Sequence, residues 1–182
     1  MTLVNALSKQ RENTFARDAI IVVLSGLLIT LMGQFSISLP FTPVPISFRL
    51  QTIMLLSVLL GSRRAVLAVC VFLVQGAIGF PVFAGHTSGL VGLLGPNGGY
   101  IVGYLVAAFV VGVISERTKK EILALALGTL VVYTLGALHL STFIGIQKAI
   151  LLGVVPFILG DLLKSVAVVK ILDWMGWQKQ HA

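Results

Sequence analysis

Six apolar runs, separated by short polar or glycine- and proline-rich segments, make up most of this chain. A helix that crosses a bilayer needs about 20 mainly apolar residues, and most of the runs approach that length. The pattern therefore predicts an all-α integral membrane protein with six transmembrane helices. The six runs are residues 19–39, 50–60, 65–80, 100–115, 122–140 and 149–172.

The second run is short, and residues that break helices bound it on both sides. Pro40, Pro43 and Pro45 precede it, and Gly61 follows it. Proline and glycine are the strongest local signals for the end of a regular element. We therefore interpret residues 50–60 as a short or tilted helix.

Composition supports a single membrane domain over residues 1–182. Hydrophobic residues account for 57% of the chain and charged residues for only 10%, which leaves no room for a separate soluble domain. We expect residues 1–18 to form a cytoplasmic segment, residues 19–172 a six-helix bundle, and residues 173–182 a cytoplasmic tail. The long first apolar run argues against a cleaved signal peptide.

The distribution of cations predicts the topology. The formal net charge is +7, yet the 13 Lys and Arg residues form no stripe with interleaved aromatic residues, so we predict no nucleic-acid partner. Cytoplasmic loops of membrane proteins are enriched in cations, and placing both termini in the cytoplasm puts ten of the 13 there. Arg49, Lys148 and Lys164 are the three left over.

Two of the outer loops have unusual sequences. Residues 39–46 contain three prolines and cannot be helical, because proline fixes its own φ and pushes the preceding residue toward an extended backbone. Residues 79–99 are rich in glycine but keep an apolar stretch at 90–94. A fully solvated loop has no need of apolar residues, so we expect this second loop to fold back as a lid over a pocket.

Asp161 and Lys164 are the residues most indicative of function. They lie three positions apart in the last apolar run, and therefore on one helix face. A charge at bilayer depth costs about 2.5–3.5 kcal/mol, so such residues usually face a cavity and mark a ligand or ion path. Together they suit a ligand with N–H donors beside a carbonyl, such as an amide, a urea or a pyrimidine edge. The alternative is that the pair only neutralises itself and holds helices together.

Several other polar positions remain ambiguous. Asn97, Gly98 and Gly99 resemble the start of a helix whose free amides could meet an anionic or carbonyl group, or else a plain turn with an Asn cap. Gln51 and Gln75 could each contact a ligand or bridge two helices. His86 is equally ambiguous: it could be a ligand contact, a pH switch or an interfacial polar residue.

Enzymatic chemistry is not expected. The glycine-rich segment lacks the Gly-Lys-Ser/Thr ending of a nucleotide-hydrolysing P-loop, and no Gly-x-Ser-x-Gly motif is present. The three histidines are scattered and there is one cysteine, so we predict no metal site, no catalytic residue and no cofactor.

Three segments together resemble the biotin-specific S-component (BioY) family of energy-coupling-factor (ECF) transporters. They are residues 42–46 (TPVPI) with 50–52 (LQT), residues 79–85 (GFPVFAG) with 95–100 (GPNGGY), and residues 156–164 (PFILGDLLK). The resemblance covers residues 18–175, approximately.

The resemblance implies a substrate-binding subunit in the cell membrane that captures biotin outside the cell. Import would then require a transmembrane coupling (T) subunit and a pair of ABC-type ATPases. Asp161 and Lys164 would contact the polar head of biotin, and residues of the 79–100 segment would close the pocket and contact the rest of the ligand. The residues carried over from that segment are Phe83, His86, Asn97, Gly98, Gly99 and Tyr100.

This chain departs from the family pattern at three places. The family often has a second glycine where His86 stands and a threonine where Asn97 stands. The small residues by which S-components dock on the coupling subunit are imperfectly matched in the first helix, where Gly26 and Thr30 are the nearest equivalents. Alternatives to the biotin assignment are an S-component for another vitamin, a transporter that works alone, or a structural subunit.

Overall fold

The computed structural model describes residues 3–118 and 120–176, with the side chains of residues 3–13 and of His86 outside the description. The fold is helical, with one small hairpin. Lys119, and the part of the predicted cytoplasmic tail from 177 to 182, lie outside the described residues. The elements are α1 (Leu3–Gln34), β1 (Ser36–Ile37), β2 (Ile46–Ser47), α2 (Arg49–Ala77), a 3₁₀ turn (Ala84–His86), α3 (Gly89–Leu94), α4 (Gly98–Thr118), α5 (Glu121–Ile144), α6 (Ile146–Gly153) and α7 (Val155–Trp174).

Helix α2 reverses direction at Gly61, which has φ of +79° and ψ of 171°. The Arg49 guanidinium carbon lies 5.1 Å from the centre of the Phe72 ring. A continuous helix would separate these positions by about 35 Å, so α2 consists of two antiparallel arms, residues 49–60 and 62–77. The sequence predicted two runs with a break at Gly61, and the break is confirmed.

The reversal is fixed by a carboxylate on α4. Glu116 Oε1 accepts hydrogen bonds from the Ser62 backbone N–H at 2.7 Å and from the Ser62 hydroxyl at 3.2 Å. Glycine is required at position 61 because a side chain is strained at this positive φ. We call this side of the bundle the Gly61 end, and the opposite side, where β1 and β2 lie, the loop end.

Helix α1 packs along the second arm of α2 through small and polar side chains. A Cβ on Gly26 would lie 2.6 Å from Val71 Cγ1, and the Thr30 hydroxyl donates to Gln75 Oε1 at 2.8 Å. Gly26 and Thr30 therefore face α2. The docking surface that the sequence suggested at these two positions is instead an internal helix contact.

Five helical stretches among the described residues are long and apolar enough to cross a membrane. They are Thr14–Gln34, Arg49–Ala77, Gly98–Thr118, Glu121–Ile144 and Ile146–Trp174. Leucine, isoleucine, valine and phenylalanine side chains are exposed along α1 and α7, as expected where lipid covers the surface. The chain is thus a multi-pass membrane protein. The sequence predicted six spans because it counted the two arms of α2 separately.

The boundaries of the first and last elements differ from the predicted runs. Helix α1 ends at Gln34, and residues 36–37 pair with 46–47 in an antiparallel hairpin, so the prediction of helix up to residue 39 was wrong. The prolines at 40, 43 and 45 lie in the turn of this hairpin, which confirms that the segment is not helical. Helices α6 and α7 extend the last predicted run at both ends.

Candidate functional site

Asp161 lies at the centre of a buried polar cluster that joins three helices. Its Oδ1 accepts hydrogen bonds from Gln51 Nε2 at 3.0 Å and from Lys164 Nζ at 3.1 Å. Its Oδ2 accepts from the Tyr133 hydroxyl at 2.7 Å. Residue Asp161 is only 7% exposed, so these three donors replace the water that the carboxylate would otherwise bind.

Lys164 connects this cluster to the β hairpin. Its ammonium donates to the Ser47 backbone carbonyl at 3.0 Å as well as to Asp161, and lies 5.6 Å from the centre of the Phe48 ring. The i, i+3 spacing predicted from the sequence places the two charged groups side by side, as expected. The ammonium has three N–H donors, and two of them have acceptors here.

The cluster forms one wall of a small cavity near the loop end. The cavity has a volume of about 40 Å³ and lies between α2, α4, α5, α7 and the hairpin. We call it the head cavity. Besides Asp161, Lys164 and Tyr133, its lining includes Val44, Pro45, Ser47, Leu50, Tyr100, Tyr104, Val132, Gly153 and Phe157.

A second cavity, of about 20 Å³, shares one wall with the first. We call it the tail cavity. The residues that line both are Val44, Pro45, Ser47, Tyr100 and Tyr104. Arg49, Ala84 and Asn97 line only the tail cavity. The two cavities are therefore adjacent, with Asp161 in the wall of one and Arg49 in the wall of the other.

The segment 79–97 covers the tail cavity and is fastened at several points. Phe83 is 3% exposed, and its ring packs edge-on against Phe72 with the ring centres 5.6 Å apart. The Phe83 ring fills the space that a Cβ would need at Gly76 and at Gly92. We call this segment the lid, as the sequence predicted.

Two polar contacts attach the lid to the rest of the loop end. The Val82 backbone carbonyl accepts a hydrogen bond from Arg49 Nη2 at 2.7 Å. Asn97 Nδ2 donates to the Pro43 carbonyl at 3.2 Å, which joins the lid to the hairpin. Each contact uses one residue that lines the tail cavity, Arg49 in the first and Asn97 in the second, so the walls of this cavity take part in holding the lid.

The remaining predicted site residues lie in different places. Tyr100 lines both cavities and donates its hydroxyl to the Gly153 carbonyl at 2.8 Å. Gly98 and Gly99 are buried, and a Cβ on either would meet His139. The Gly98 amide donates to the Gly95 carbonyl at 2.8 Å, so it is not free for a ligand.

Two other candidates, Gln75 and Phe83, do not line the cavities. Gln75 contacts α1 through Thr30, and Phe83 is enclosed between glycines; neither lines the head or the tail cavity. His86 lies in the 3₁₀ turn of the lid, but its side chain is outside the described residues. Gln51 is part of the Asp161 cluster, and its Oε1 is buried without a hydrogen-bond partner.

Some residues of the site have only a weak signal in the sequence. Tyr133 and Tyr104 lie in apolar runs where tyrosine is unremarkable, and the Ser47 contact uses a backbone carbonyl, which has no side-chain signature. Arg49 was noticed only as a cation outside the cytoplasmic set. That exception to the positive-inside pattern was the available signal.

Comparison with known proteins identifies the family. The BioY family model matches residues 5–178. This chain belongs to the BioY family. The probable biotin transporter BioY of Pyrococcus horikoshii is 35% identical over 158 residues, which span 87% of this chain and 95% of that protein. The biotin transporter BioY of Thermotoga maritima is 37% identical over 139 residues, 74% of this chain and 82% of that protein.

A solved structure of a similar protein has the same fold. It is the S-component for biotin from an ECF-type ABC transporter, and it is similar with a TM-score of 0.80 and 28% sequence identity. The alignment covers 90% of this chain and 92% of that chain. The family-model match over residues 5–178 includes α7, which carries Asp161 and Lys164.

Proposed function

We propose that this chain is the biotin-binding S subunit of an ECF-type importer. The observation that supports this most directly is the unused hydrogen-bonding capacity of the Asp161 cluster. An ionised carboxylate has about four acceptor positions and an ammonium has three donors. Asp161 has three donors around it, and Lys164 uses two of its own.

One acceptor position on Asp161 and one donor on Lys164 therefore remain for a ligand. The ureido ring of biotin presents N–H groups on both sides of a carbonyl. In our proposal one N–H donates to Asp161, the ring carbonyl accepts from Lys164, and a second N–H donates to the unpaired Oε1 of Gln51. Apolar walls such as Leu50, Val132 and Phe157 would take the sulfur-containing ring.

Binding in this position requires movement of the lid and of Tyr100 and Tyr104, which line both cavities. Cavities of about 40 and 20 Å³ hold water rather than a vitamin. We infer that biotin reaches the head cavity from the loop end and that the lid then closes over it. Tyr100, Asn97 and the lid backbone would contact the tail.

The topology supports capture from outside the cell. Counting the two arms of α2 separately gives six crossing segments, with Asp18 of α1 and Lys170 of α7 both toward the Gly61 end. The Gly61 end carries most of the cations, including Arg63 and Arg64, and we propose that it faces the cytoplasm across the plasma membrane. The loop end, with the lid, would then face outward.

Energy for uptake would come from partner subunits. We propose that the chain binds a transmembrane coupling subunit and a pair of ABC-type ATPases, and that it hydrolyses nothing itself. The similar solved structure supports this, because that protein is a component of an ECF-type ABC transporter.

The decisive experiment is equilibrium binding of labelled biotin to the purified protein in nanodiscs, with an unrelated vitamin as competitor. We expect Asp161→Asn to weaken binding at least about 10-fold, because a hydrogen bond to a charged group is worth about 1.5–3 kcal/mol. Asp173→Asn is the matched control, since Asp173 is exposed on the same helix toward the Gly61 end. A folded wild type that binds no biotin would refute the proposal.

A structural role for the pair is the second candidate, because Asp161 already links α7 to α2 and α5. If the pair only locks helices, replacing Asp161 by Leu and Lys164 by Met together would leave stability and uptake unchanged. We expect the double variant to remain folded and to lose biotin binding, as measured by thermal unfolding and by the same binding assay.

A further inference from the structure

Arg49 is a buried cation near the loop end, away from the cytoplasmic side where this chain concentrates its positive charge. The residue is 4% exposed. Its guanidinium lies between the Phe72 ring and Gly33 of α1. The guanidinium fills the space that a Cβ at position 33 would need. Glycine at position 33 thus makes room for a large charged group inside the bundle.

The charge of Arg49 has no protein counterion among the described residues. The acidic side chains found in ion pairs are Asp18, with Arg64, and Asp161, with Lys164. Arg49 donates a hydrogen bond to the Val82 carbonyl and its guanidinium contacts the Tyr104 hydroxyl; both groups are neutral, and Arg49 Nε has no hydrogen-bond partner. Burying a charge in this way is costly unless something neutralises it.

The position of this cation is informative because Arg49 lines the tail cavity and is absent from the lining of the head cavity. Asn97, whose Oδ1 is also buried without a partner, lines the same cavity, as does Tyr104. An elongated ligand with its polar head at Asp161 would extend its other end into this cavity, since the two share a wall.

We propose that Arg49 makes the tail cavity a carboxylate-binding site, which selects ligands that carry an acid group at the end opposite to the ureido head. This inference rests on the proposed function, because it is the head at Asp161 that places the tail. A guanidinium is suited to the task, since it presents several N–H donors in a plane and stays charged at any physiological pH.

The same contact connects the ligand to the lid. Arg49 Nη2 donates to the carbonyl of Val82, and the next residue, Phe83, is the apolar anchor of the lid. A carboxylate bound to Arg49 would hold the guanidinium in the geometry that this lid contact needs. A ligand without the acid group would not support the contact between Arg49 and Val82, so the lid would be held less firmly.

The test compares biotin with biotin amide, in which a neutral carboxamide replaces the carboxylate. Equilibrium dissociation constants of both are measured for the wild type, Arg49→Gln, Arg49→Lys and Lys148→Gln. Lys148 is an exposed cation just after α5 at the loop end, so Lys148→Gln removes the same charge without touching the cavity. We expect the wild type and Lys148→Gln to prefer biotin by about 10- to 100-fold.

Arg49→Gln should bind the two compounds about equally, with biotin weakened and biotin amide little changed, and Arg49→Lys should keep part of the preference. An unchanged preference in Arg49→Gln, or equal binding of both compounds by the wild type, overturns the assignment. The wild-type comparison needs no variant, so equal binding of the two compounds would overturn the assignment even if Arg49→Gln does not fold. A wild type that binds neither compound overturns the proposed function itself.

Discussion

Asp161 is stabilised by donors from three different helices, and this determines how the site works. A carboxylate at bilayer depth costs about 2.5–3.5 kcal/mol, and each hydrogen bond to a charged group contributes about 1.5–3 kcal/mol. Gln51, Tyr133 and Lys164 together therefore offset the cost without a ligand. The site is preorganised, so a ligand need not pay to order these side chains.

Tyr133→Phe should weaken biotin binding by about 3- to 10-fold, because Asp161 loses the donor that fixes the orientation of its second oxygen. The apolar ring is kept, so we expect the thermal unfolding midpoint to change little. Isothermal titration of the purified variant measures the affinity. Thr134→Val is the control: Thr134 is exposed and donates only to the Leu130 carbonyl of its own helix. Equal losses in the two variants would contradict this role for Tyr133.

The sequence indicates charged site residues well and neutral ones poorly. Asp161 and Lys164 stand out because a charge inside an apolar run is expensive. Gln51 and Gln75 are equally polar within apolar runs, yet one joins the Asp161 cluster and the other contacts α1. They lie on opposite arms of α2, so only the packing of those arms decides which one faces the cavity.

At the scale of elements, the lid is held by an aromatic side chain in a narrow slot. The walls of the slot are glycines from two elements: Gly76 near the end of α2 and Gly92 in α3. Because no Cβ separates the backbones from the ring, Phe83 packs closely enough to be almost fully buried. The lid can therefore close tightly even though most of its own residues are small.

Gly76→Ala should loosen the lid and raise the dissociation rate of biotin several-fold, because the added methyl group occupies the space of the Phe83 ring. Overpacking of this kind costs about 1–3 kcal/mol. Stopped-flow displacement of a fluorescent biotin measures the rate. Gly160→Ala is the matched control, since a Cβ on Gly160 meets nothing within 4 Å. A dissociation rate unchanged from the wild type would show that Phe83 does not fasten the lid.

The lid was predictable from the sequence only in part. Its apolar stretch predicted that the segment folds back, and it does. The short helix α3 is not evident in the sequence, because glycine has low helix propensity and two of its six residues, Gly89 and Gly92, are glycines. The Phe83 ring packs against Gly92, and this tertiary contact supports the helical geometry there.

For the whole molecule, the arrangement of charge along the bundle axis separates the two ends. Arg64 pairs with Asp18 at 2.8 Å, and Glu116 contacts Ser62, so ionised groups surround the Gly61 end. At the loop end Lys148 is exposed, whereas Arg49 is buried and Lys164 partly buried, and both of these line cavities. This asymmetry could be predicted from the sequence as topology, but which cations are buried depends on the tertiary fold.

Single-cysteine labelling tests the orientation. In a Cys70→Ala background, Ser38→Cys at the loop end should react with a membrane-impermeant maleimide on intact cells, whereas Thr118→Cys at the Gly61 end should react only after lysis. Both positions are exposed, so a difference in reaction reports the side of the membrane. Labelling of position 118 on intact cells would reverse the proposed topology.

The reversal at Gly61 also has a consequence for biogenesis. The first arm of α2 has about 12 residues, which rise only about 18 Å, well short of the roughly 30 Å hydrocarbon layer. That arm carries Arg49, so it is a poor candidate for insertion by itself. We expect the translocon to release the two arms into lipid together, as a helical hairpin. As the test span of a reporter that has no other membrane helix, residues 49–60 should stay extractable by alkaline carbonate, and residues 49–77 should be retained.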